Sequence, residues 1–260
     1  MARIYALVNQ KGGVGKTTTA INLAAYLAQL GPRVLLVDLD PQANATSSLG
    51  MDKHKVNGGV YQVLVGEAGG NEEVLHSPRL KLALLPASPA LAGAEVELVG
   101  MLARETQLRR GLAEAAANYD YVLIDCPPSL GLITLNGLVA AEDGVIIPVQ
   151  CEYLALEGLG QLTDTLNRVR AALNPRLIIR GLIMTMYDGR ASLSQQVVAE
   201  VHKHFPGKVF GAIIPRSVRL AEAPSHGLPI SIYAPSSPGA RAYRALAEEL
   251  LAGDRAQDTA

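Results

Sequence analysis

The 260-residue sequence has no tryptophan, two phenylalanines and nine tyrosines, so aromatic residues make up only 4% of it. Modules that bind single-stranded nucleic acid without sequence preference stack the bases on aromatic side chains. A chain this poor in aromatics is therefore a weak candidate for such a module. Charged residues are also scarce, at 18%, whereas hydrophobic residues reach 49%. This composition and length exclude disorder as the main state and allow a large buried core.

Cysteine is nearly absent too, since Cys126 and Cys151 are the only two. Two cysteines cannot build a disulfide framework or a four-thiolate metal site, and the five histidines show no metal-ligand spacing. No run approaches the ~20 consecutive apolar residues that span a bilayer, and no signal peptide is evident. We therefore expect a soluble cytoplasmic protein whose cysteines are core residues without a redox role.

The net charge of −1 hides an uneven distribution. Residues 1–175 carry 13 basic and 17 acidic side chains, residues 176–219 carry 7 and 2, and residues 220–260 carry 3 and 5. The three balances are −4, +5 and −2, so the segment 176–219 is the basic region of the chain. It is either a surface for an anionic partner or an ordinary solvated face.

Short apolar runs, typical of strands buried on both faces of a parallel sheet, alternate with helical periodicity. The pattern predicts strands at 3–8, 33–38, 80–85, 121–125, 144–149, 177–184 and 209–214. It predicts helices at 16–30, 105–117, 130–140, 156–173, 192–204 and 238–251. This alternation indicates one doubly wound, mostly parallel α/β sheet flanked by helices. We expect a domain over residues 1–252, followed by a polar tail at 253–260.

A glycine-rich loop joins the first predicted strand to the first helix. It consists of Lys11, Gly12, Gly13, Val14, Gly15, Lys16, Thr17 and Thr18. Glycines let backbone N–H groups turn around an anion, and the helix N-terminus adds partial positive charge. A lysine then reaches the β- and γ-phosphates, here Lys16, and a hydroxyl ligates Mg²⁺, here Thr17. The usual pattern has glycine at Gln10; here a second lysine, Lys11, follows that position.

The segment from Lys11 to Thr18 resembles the deviant Walker A motif of the ParA/MinD superfamily of ATPases. The resemblance continues through residues 38–42, 125–129, 148–153 and 214–224, and it covers essentially residues 1–251. It is strongest to the chromosomal, Soj-type ParA proteins that segregate DNA. The resemblance implies a P-loop NTPase-like fold, ATP and Mg²⁺ as cofactors, ATP hydrolysis, and a homodimer that forms when ATP is bound.

The resemblance also assigns roles to individual side chains. Lys11 would reach across a two-fold axis to the nucleotide of the partner subunit, so Lys11, Lys16 and Asp40 would act in catalysis. Asp40 would orient the attacking water and contribute to the metal site, while Asp38, two residues earlier on the same strand face, is either a support for Mg²⁺ or structural. Asp125 ends an apolar strand as a Walker B aspartate does, and would hold Mg²⁺ through a water.

Base and DNA contacts are expected at loops after later strands. Pro215 would stack on adenine. Ser217 stands at a position where the family pattern has asparagine, and this replacement would shorten any hydrogen bond to the base. Arg190 and Arg219 match positions implicated in binding double-stranded DNA without sequence preference, and Arg216 lies beside them in the basic segment. The resemblance alone implies a ParB/Spo0J-type centromere-binding partner and a nucleoid-associated location.

Three alternatives stay open at this point. A MinD-like membrane ATPase would end in a basic amphipathic helix, whereas residues 248–260 are acidic and mostly polar, so no membrane partner is expected. An electron-transfer ATPase of the nitrogenase iron-protein type would need cysteines converging on a cluster at the dimer axis. A small-molecule ligase of the dethiobiotin-synthetase type would use the same loop but would turn over only with a carboxylate substrate.

Overall fold

A seven-stranded sheet runs through the computed structural model, which describes residues 2–153 and 155–259. The order is β3-β4-β2-β5-β1-β6-β7, and every pairing is parallel except that of β3 with β4. The strands are β1 (Arg3–Leu7), β2 (Val34–Asp38), β3 (Leu75–Ser77), β4 (Leu82–Leu85), β5 (Tyr121–Asp125), β6 (Gly144–Gln150) and β7 (Ile179–Thr185). The doubly wound, mostly parallel sheet predicted from the sequence is confirmed.

Twelve α-helices of the described residues cover the two faces of the sheet. They are α1 (Lys16–Gln29), α2 (Asn44–Ser48), α3 (Val60–Val65), α4 (Gly70–Glu73), α5 (Leu91–Val99), α6 (Gln107–Ala116), α7 (Leu132–Ala140), α8 (Ala155–Ala172), α9 (Ser192–His204), α10 (Val218–Glu222), α11 (Ile230–Tyr233) and α12 (Pro238–Asp258). Short 3-10 helices lie at Arg104–Thr106 and Ala223–His226. None of the helices in this part of the chain combines the length and apolar character needed to cross a membrane.

Successive side chains along each strand point to opposite faces of the sheet, so the core is divided into two clusters, one on each face. In β1, Tyr5 and Leu7 belong to the cluster that includes α1 and α12. Ala6 and Val8 belong to the cluster that includes α3, α6 and α7. β2 and β5 are buried along their whole length, which explains why their sequences are continuous apolar runs. The central strands are therefore rigid supports for the residues at their ends.

The segment 209–214, predicted to be a strand, forms no regular strand in the structure. It runs beside β7 with one isolated bridge, Leu182 with Val209, and its Phe210 and Ile214 N–H groups donate to the Leu182 and Met184 carbonyls at 2.9 and 2.8 Å. The Gly211 and Ala212 N–H groups donate instead to the Glu249 carboxylate of α12, at 2.8 and 3.1 Å. These two amides therefore do not take part in strand pairing. The hydrophobic periodicity of the segment could not reveal this contact with a distant helix.

Residues 253–258, which we expected in a polar tail, belong to α12 instead. The reason is a buried polar cluster around Asp254, whose carboxylate accepts hydrogen bonds from the Tyr5 and Tyr121 hydroxyls, each at 2.9 Å. The Arg180 Nε donates to the same carboxylate at 2.9 Å. Polar side chains therefore extend the contact between the helix and the sheet beyond its apolar face.

Candidate functional site

The carboxyl ends of three neighbouring strands bring the predicted site residues together. Asp125 is the register partner of Leu7 on β1 and of Asp38 on β2. The glycine-rich loop follows β1, and Asp40 follows β2. Because these strands are parallel, all of these groups lie at one edge of the sheet, which is where open α/β sheets bind ligands.

The glycine-rich loop has the backbone conformation of an anion cradle. Gly13 and Gly15 have φ of +75° and +90°, a region that other residues rarely adopt. No atom lies within 4 Å of the place where a Cβ would stand on Gly12 or Gly13, so the loop borders open space. Helix α1 begins directly after Gly15. Its first N–H groups and its dipole therefore add to the attraction of an anion.

Two side chains to which the sequence assigned no role hold this loop in place. The buried Asn9 accepts the Lys11 N–H at 3.0 Å and donates to the Pro148 carbonyl at 2.7 Å. The buried Thr185 hydroxyl donates to the Val14 carbonyl at 2.8 Å. The loop is thus tied to the ends of β6 and β7. The only sequence signal was a polar residue at a strand end, which does not reveal its distant partner.

Lys16 is buried under the loop, and its Nζ donates to the Lys11 carbonyl at 3.2 Å. Burial lowers the pKa of Lys16, and the nearby Asp125 and Asp40 carboxylates oppose that shift. A partly desolvated ammonium group attracts a phosphate oxygen more strongly than one in water. Its position suits the contact with β- and γ-phosphates that the motif predicts.

Asp125 is completely buried, and neither of its carboxylate oxygens has a hydrogen-bond partner among the described residues. Burial raises the pKa of Asp125 well above its usual range, the Asp38 carboxylate adds to the shift, and Thr17 and Lys16 oppose it. A buried carboxylate without partners is costly, and a cation would satisfy it. The Thr17 hydroxyl is the second predicted metal group.

These two residues fit Mg²⁺ held jointly with a nucleotide. Mg²⁺ keeps several waters and takes one or two carboxylates together with phosphate oxygens. In the described part of the chain, no group of three or more His, Cys, Asp or Glu side chains is arranged to hold a metal ion. The protein ligands alone would therefore be too few, and the phosphates would complete the coordination.

Asp38 and Asp40 differ in how they are held. Asp38 accepts the Asp40 N–H at 3.3 Å through Oδ1, and its Oδ2 accepts the Thr46 N–H at 2.8 Å and the Thr46 hydroxyl at 2.7 Å. Burial raises the pKa of Asp38 to about 6. These contacts support the structural alternative for Asp38. Asp40 accepts the Gln42 N–H at 2.9 Å through Oδ1, which fixes the direction of its carboxylate.

A cavity of about 240 Å³ adjoins the glycine-rich loop. It is lined by Gly15 and Thr18 of the loop region and by Met186, Pro215, Arg216, Ser217, Leu220 and Tyr243. Apolar walls with a few polar groups suit a nucleobase, and Pro215 and Ser217, the residues expected to contact a base, both line this cavity. Two larger cavities, of about 600 and 590 Å³, are not lined by any residue of the glycine-rich loop. No sequence pattern indicated Met186, whose φ is +52°.

The three arginines predicted to bind DNA are exposed; Arg190 and Arg216 lie in adjoining loops, and Arg219 lies in α10. The Arg216 N–H donates to the Tyr187 carbonyl at 3.0 Å, which joins the loop carrying Arg190 to the loop that carries Arg216 and leads into α10, the helix of Arg219. Both loops follow the end of β7 or the segment beside it. Arg180, counted in the same basic segment, is instead only 12% exposed and is paired with Asp254. The net charge of +5 counted for residues 176–219 is therefore larger than the positive charge that this segment presents at the surface.

The two cysteines are buried in the core. Burial raises the pKa of Cys151 to about 11, and burial together with the nearby Asp125 charge raises the pKa of Cys126 further. Their thiols are accordingly held in the neutral form, which is a poor metal ligand and a poor nucleophile. This environment agrees with a packing role for both residues.

Known proteins resemble the chain along nearly its whole length. A family model described as an AAA domain matches residues 2–179. The sporulation initiation inhibitor protein Soj of Bacillus subtilis is 54% identical over 252 residues, which are 97% of this chain and 99% of that protein. The chromosome-partitioning ATPase Soj of Thermus thermophilus is 59% identical over 250 residues, 96% of each chain.

Solved structures agree in fold and carry nucleotide. A structure described as cobyrinic acid a,c-diamide synthase from Mycobacterium smegmatis, with bound ADP and magnesium, has 42% identity and a TM-score of 0.87. It covers 98% of this chain and 96% of its own. MinD from Pyrococcus horikoshii, complexed with Mg-ADP, has 29% identity, a TM-score of 0.78 and 98% coverage of both chains. The chain therefore belongs to the Soj/ParA family of chromosome-partitioning ATPases.

Proposed function

We propose that this protein is an ATP-driven switch for DNA partitioning, which dimerises on Mg·ATP, holds double-stranded DNA, and releases it after hydrolysis. The observation that carries the nucleotide site is the pair of unpartnered Asp125 oxygens beneath the glycine cradle, a statement that covers the described residues. A cation would stabilise a buried carboxylate there, and Mg²⁺ binds together with a triphosphate. The nucleotide and magnesium in the related structures support the same assignment.

Each residue of the site then has a separate task in phosphoryl transfer. Lys16 and the N–H groups of residues 12–18 hold the phosphates, while Thr17 and Asp125 hold Mg²⁺. Bound Mg²⁺ supplies charge neutralisation at the phosphate oxygens. Asp40 orients the water that attacks, since positioning is most of what such catalysis requires. Pro215 and Ser217 contact the adenine in the adjoining cavity.

The exposed position of Lys11 on the loop supports the proposed dimerisation. Two bound triphosphates facing each other repel strongly, and a lysine from each subunit offsets that repulsion. Tyr153, whose exposed fraction is 80%, follows β6 near the same loop. An exposed aromatic side chain beside a charged site is typical of a surface that another chain covers.

DNA binding is assigned to Arg190, Arg216 and Arg219. All three are exposed, and a two-fold dimer would double their number. Because affinity for DNA rises steeply with the number of phosphates that a protein neutralises, the dimer would bind DNA far more tightly than one subunit. The scarcity of aromatics fits contact with the DNA backbone rather than base reading. A nucleoid-associated cytoplasmic location would follow from this binding.

A ParB/Spo0J-type protein is the partner we assign, and the family membership supports it. The 42% identity to a structure described as a diamide synthase keeps a ligase as a second candidate. A ligase would turn over only with a carboxylate substrate and would ignore DNA.

The test is to size the purified protein with and without Mg·ATP, and then with a duplex of random sequence. The proposed function predicts an ATP-dependent dimer that retains DNA. A protein that stays monomeric with Mg·ATP and ignores the duplex would contradict it.

A further inference from the structure

Lys11 is engaged within its own subunit. Its Nζ lies 3.0 Å from the Oε2 of Glu152, a residue that follows the end of β6. The other carboxylate oxygen of Glu152 accepts the Gln150 side-chain amide at 2.5 Å and lies 3.9 Å from the Arg216 guanidinium. One carboxylate thus serves as counter-ion to two cations from different loops.

Hydrogen bonds of the Asn9 side chain to the main chain hold this arrangement in place. Asn9 binds the Lys11 N–H and the Pro148 carbonyl at once, so the loop and the end of β6 are held at a constant separation. Glu152 follows Pro148 by four residues and is therefore presented to Lys11 by hydrogen-bonded backbone rather than by a mobile segment. The contact is built into the fold of the isolated subunit.

The two cations that Glu152 neutralises have different assignments in the proposed function. Lys11 would bind the nucleotide of the partner subunit, and Arg216 would bind DNA. The Lys11 and Glu152 side chains are 41% and 44% exposed, and an ion pair this exposed is weak. A triphosphate, which carries several negative charges, would displace a single carboxylate from Lys11.

We propose that Glu152 is a positioning residue that keeps Lys11 and Arg216 neutralised in the isolated subunit. It releases Lys11 when a partner subunit presents its triphosphate. The carboxylate competes with the nucleotide for the same cation, so it raises the ATP concentration at which subunits pair. This inference rests on the proposed function, because it assumes that Lys11 acts across a dimer.

The test is the substitution Glu152→Gln in the full chain, which keeps the shape of the side chain and removes its charge. Dimer formation is measured by light scattering as ATP is titrated, in an Asp40→Ala background to slow turnover. We expect half-maximal dimerisation at about two- to five-fold lower ATP, as a surface ion pair allows. The difference should shrink as salt is added, because salt screens exposed charges.

Glu222→Gln is the matched control. Glu222 also forms an exposed ion pair at 3.0 Å, but its partner is Arg219 rather than Lys11. This variant should require the same ATP concentration as the parent. Glu152→Asp, which keeps the charge, should lie closer to the parent than Glu152→Gln.

The outcomes separate the two proposals. If the parent chain never dimerises with Mg·ATP, the proposed function is wrong. If the parent dimerises while Glu152→Gln needs the same or more ATP, the role given to Glu152 is wrong. An equal shift in Glu222→Gln would also overturn it, because the effect would then reflect surface charge in general.

Discussion

Asp38 and Asp125 are register partners on adjacent strands, yet only Asp38 has hydrogen-bond partners for its carboxylate among the described residues. Two carboxylates at one sheet edge therefore have different roles. Asp38 organises the backbone that follows β2, because its oxygens hold Thr46, whose hydroxyl in turn accepts the Ala87 N–H at 3.0 Å. Asp125 is left for a ligand.

Asp125→Asn should stabilise the nucleotide-free protein and abolish binding of Mg·ATP. Removing an unpartnered buried charge should raise the free energy of unfolding by about 1 kcal/mol, as measured by urea denaturation. Asp38→Ala is the matched comparison and should destabilise the chain by about 2 kcal/mol, because Thr46 loses its acceptor. A destabilised Asp125→Asn that still binds Mg·ATP would refute the division of roles.

Asp40→Ala should bind Mg·ATP normally and hydrolyse it at least about 100-fold more slowly, since a water-orienting group is lost. Nucleotide binding is measured by calorimetry and turnover by phosphate release. Lys16→Ala, by contrast, should lose affinity for the nucleotide and stay monomeric. Loss of ATP binding in Asp40→Ala would show that this carboxylate contributes to binding ATP rather than to orienting the attacking water.

Arg190→Ala and Arg219→Ala should weaken DNA retention while ATP-dependent dimerisation persists. If each side chain contacts one phosphate per subunit, each variant should reduce the slope of log affinity against log salt by about 1.8 in the dimer. Arg33→Ala removes an exposed arginine at the start of β2, remote from these loops, and should leave the slope unchanged. An unchanged slope in both test variants would rule out the assigned DNA surface.

Asp254→Ala should destabilise the protein by about 3 kcal/mol, because Arg180 is only 12% exposed and would be left as a buried charge without its partner. Glu248→Ala, which removes an exposed pair with Arg244, should cost about 0.5 kcal/mol or less. Thermal unfolding followed by circular dichroism measures both. Equal effects would mean that the buried cluster does not anchor α12.

The sequence predicted the regular elements around the site well. The limits of β5 and α9 agree with the predicted ones, and α1 ends one residue early. Short elements between residues 44 and 99 were missed, because α2, α3 and α4 span six residues or fewer and α5 leaves Val96 and Val99 exposed. Elements this short bury too few side chains to show a period.

Sequence reasoning proposed site residues where they are contiguous in the chain, and it missed contacts between residues that are far apart in sequence. The loop from Lys11 to Thr18 carries its chemistry in one run of sequence. The contacts of Asn9 with Pro148 and of Thr185 with Val14 join residues 139 and 171 positions apart. Glu152 lay within a recognised motif, but its pairing with Lys11 depends on how β6 lies beside the loop. Such pairings follow from tertiary structure, which local patterns do not encode.

Whether ATP joins two subunits can be measured by light scattering of Asp40→Ala saturated with Mg·ATP. We expect a mass near twice the 27.4 kDa of one chain, and a return to the mass of one chain when the nucleotide is removed. A particle of 27.4 kDa in the presence of saturating Mg·ATP would contradict it.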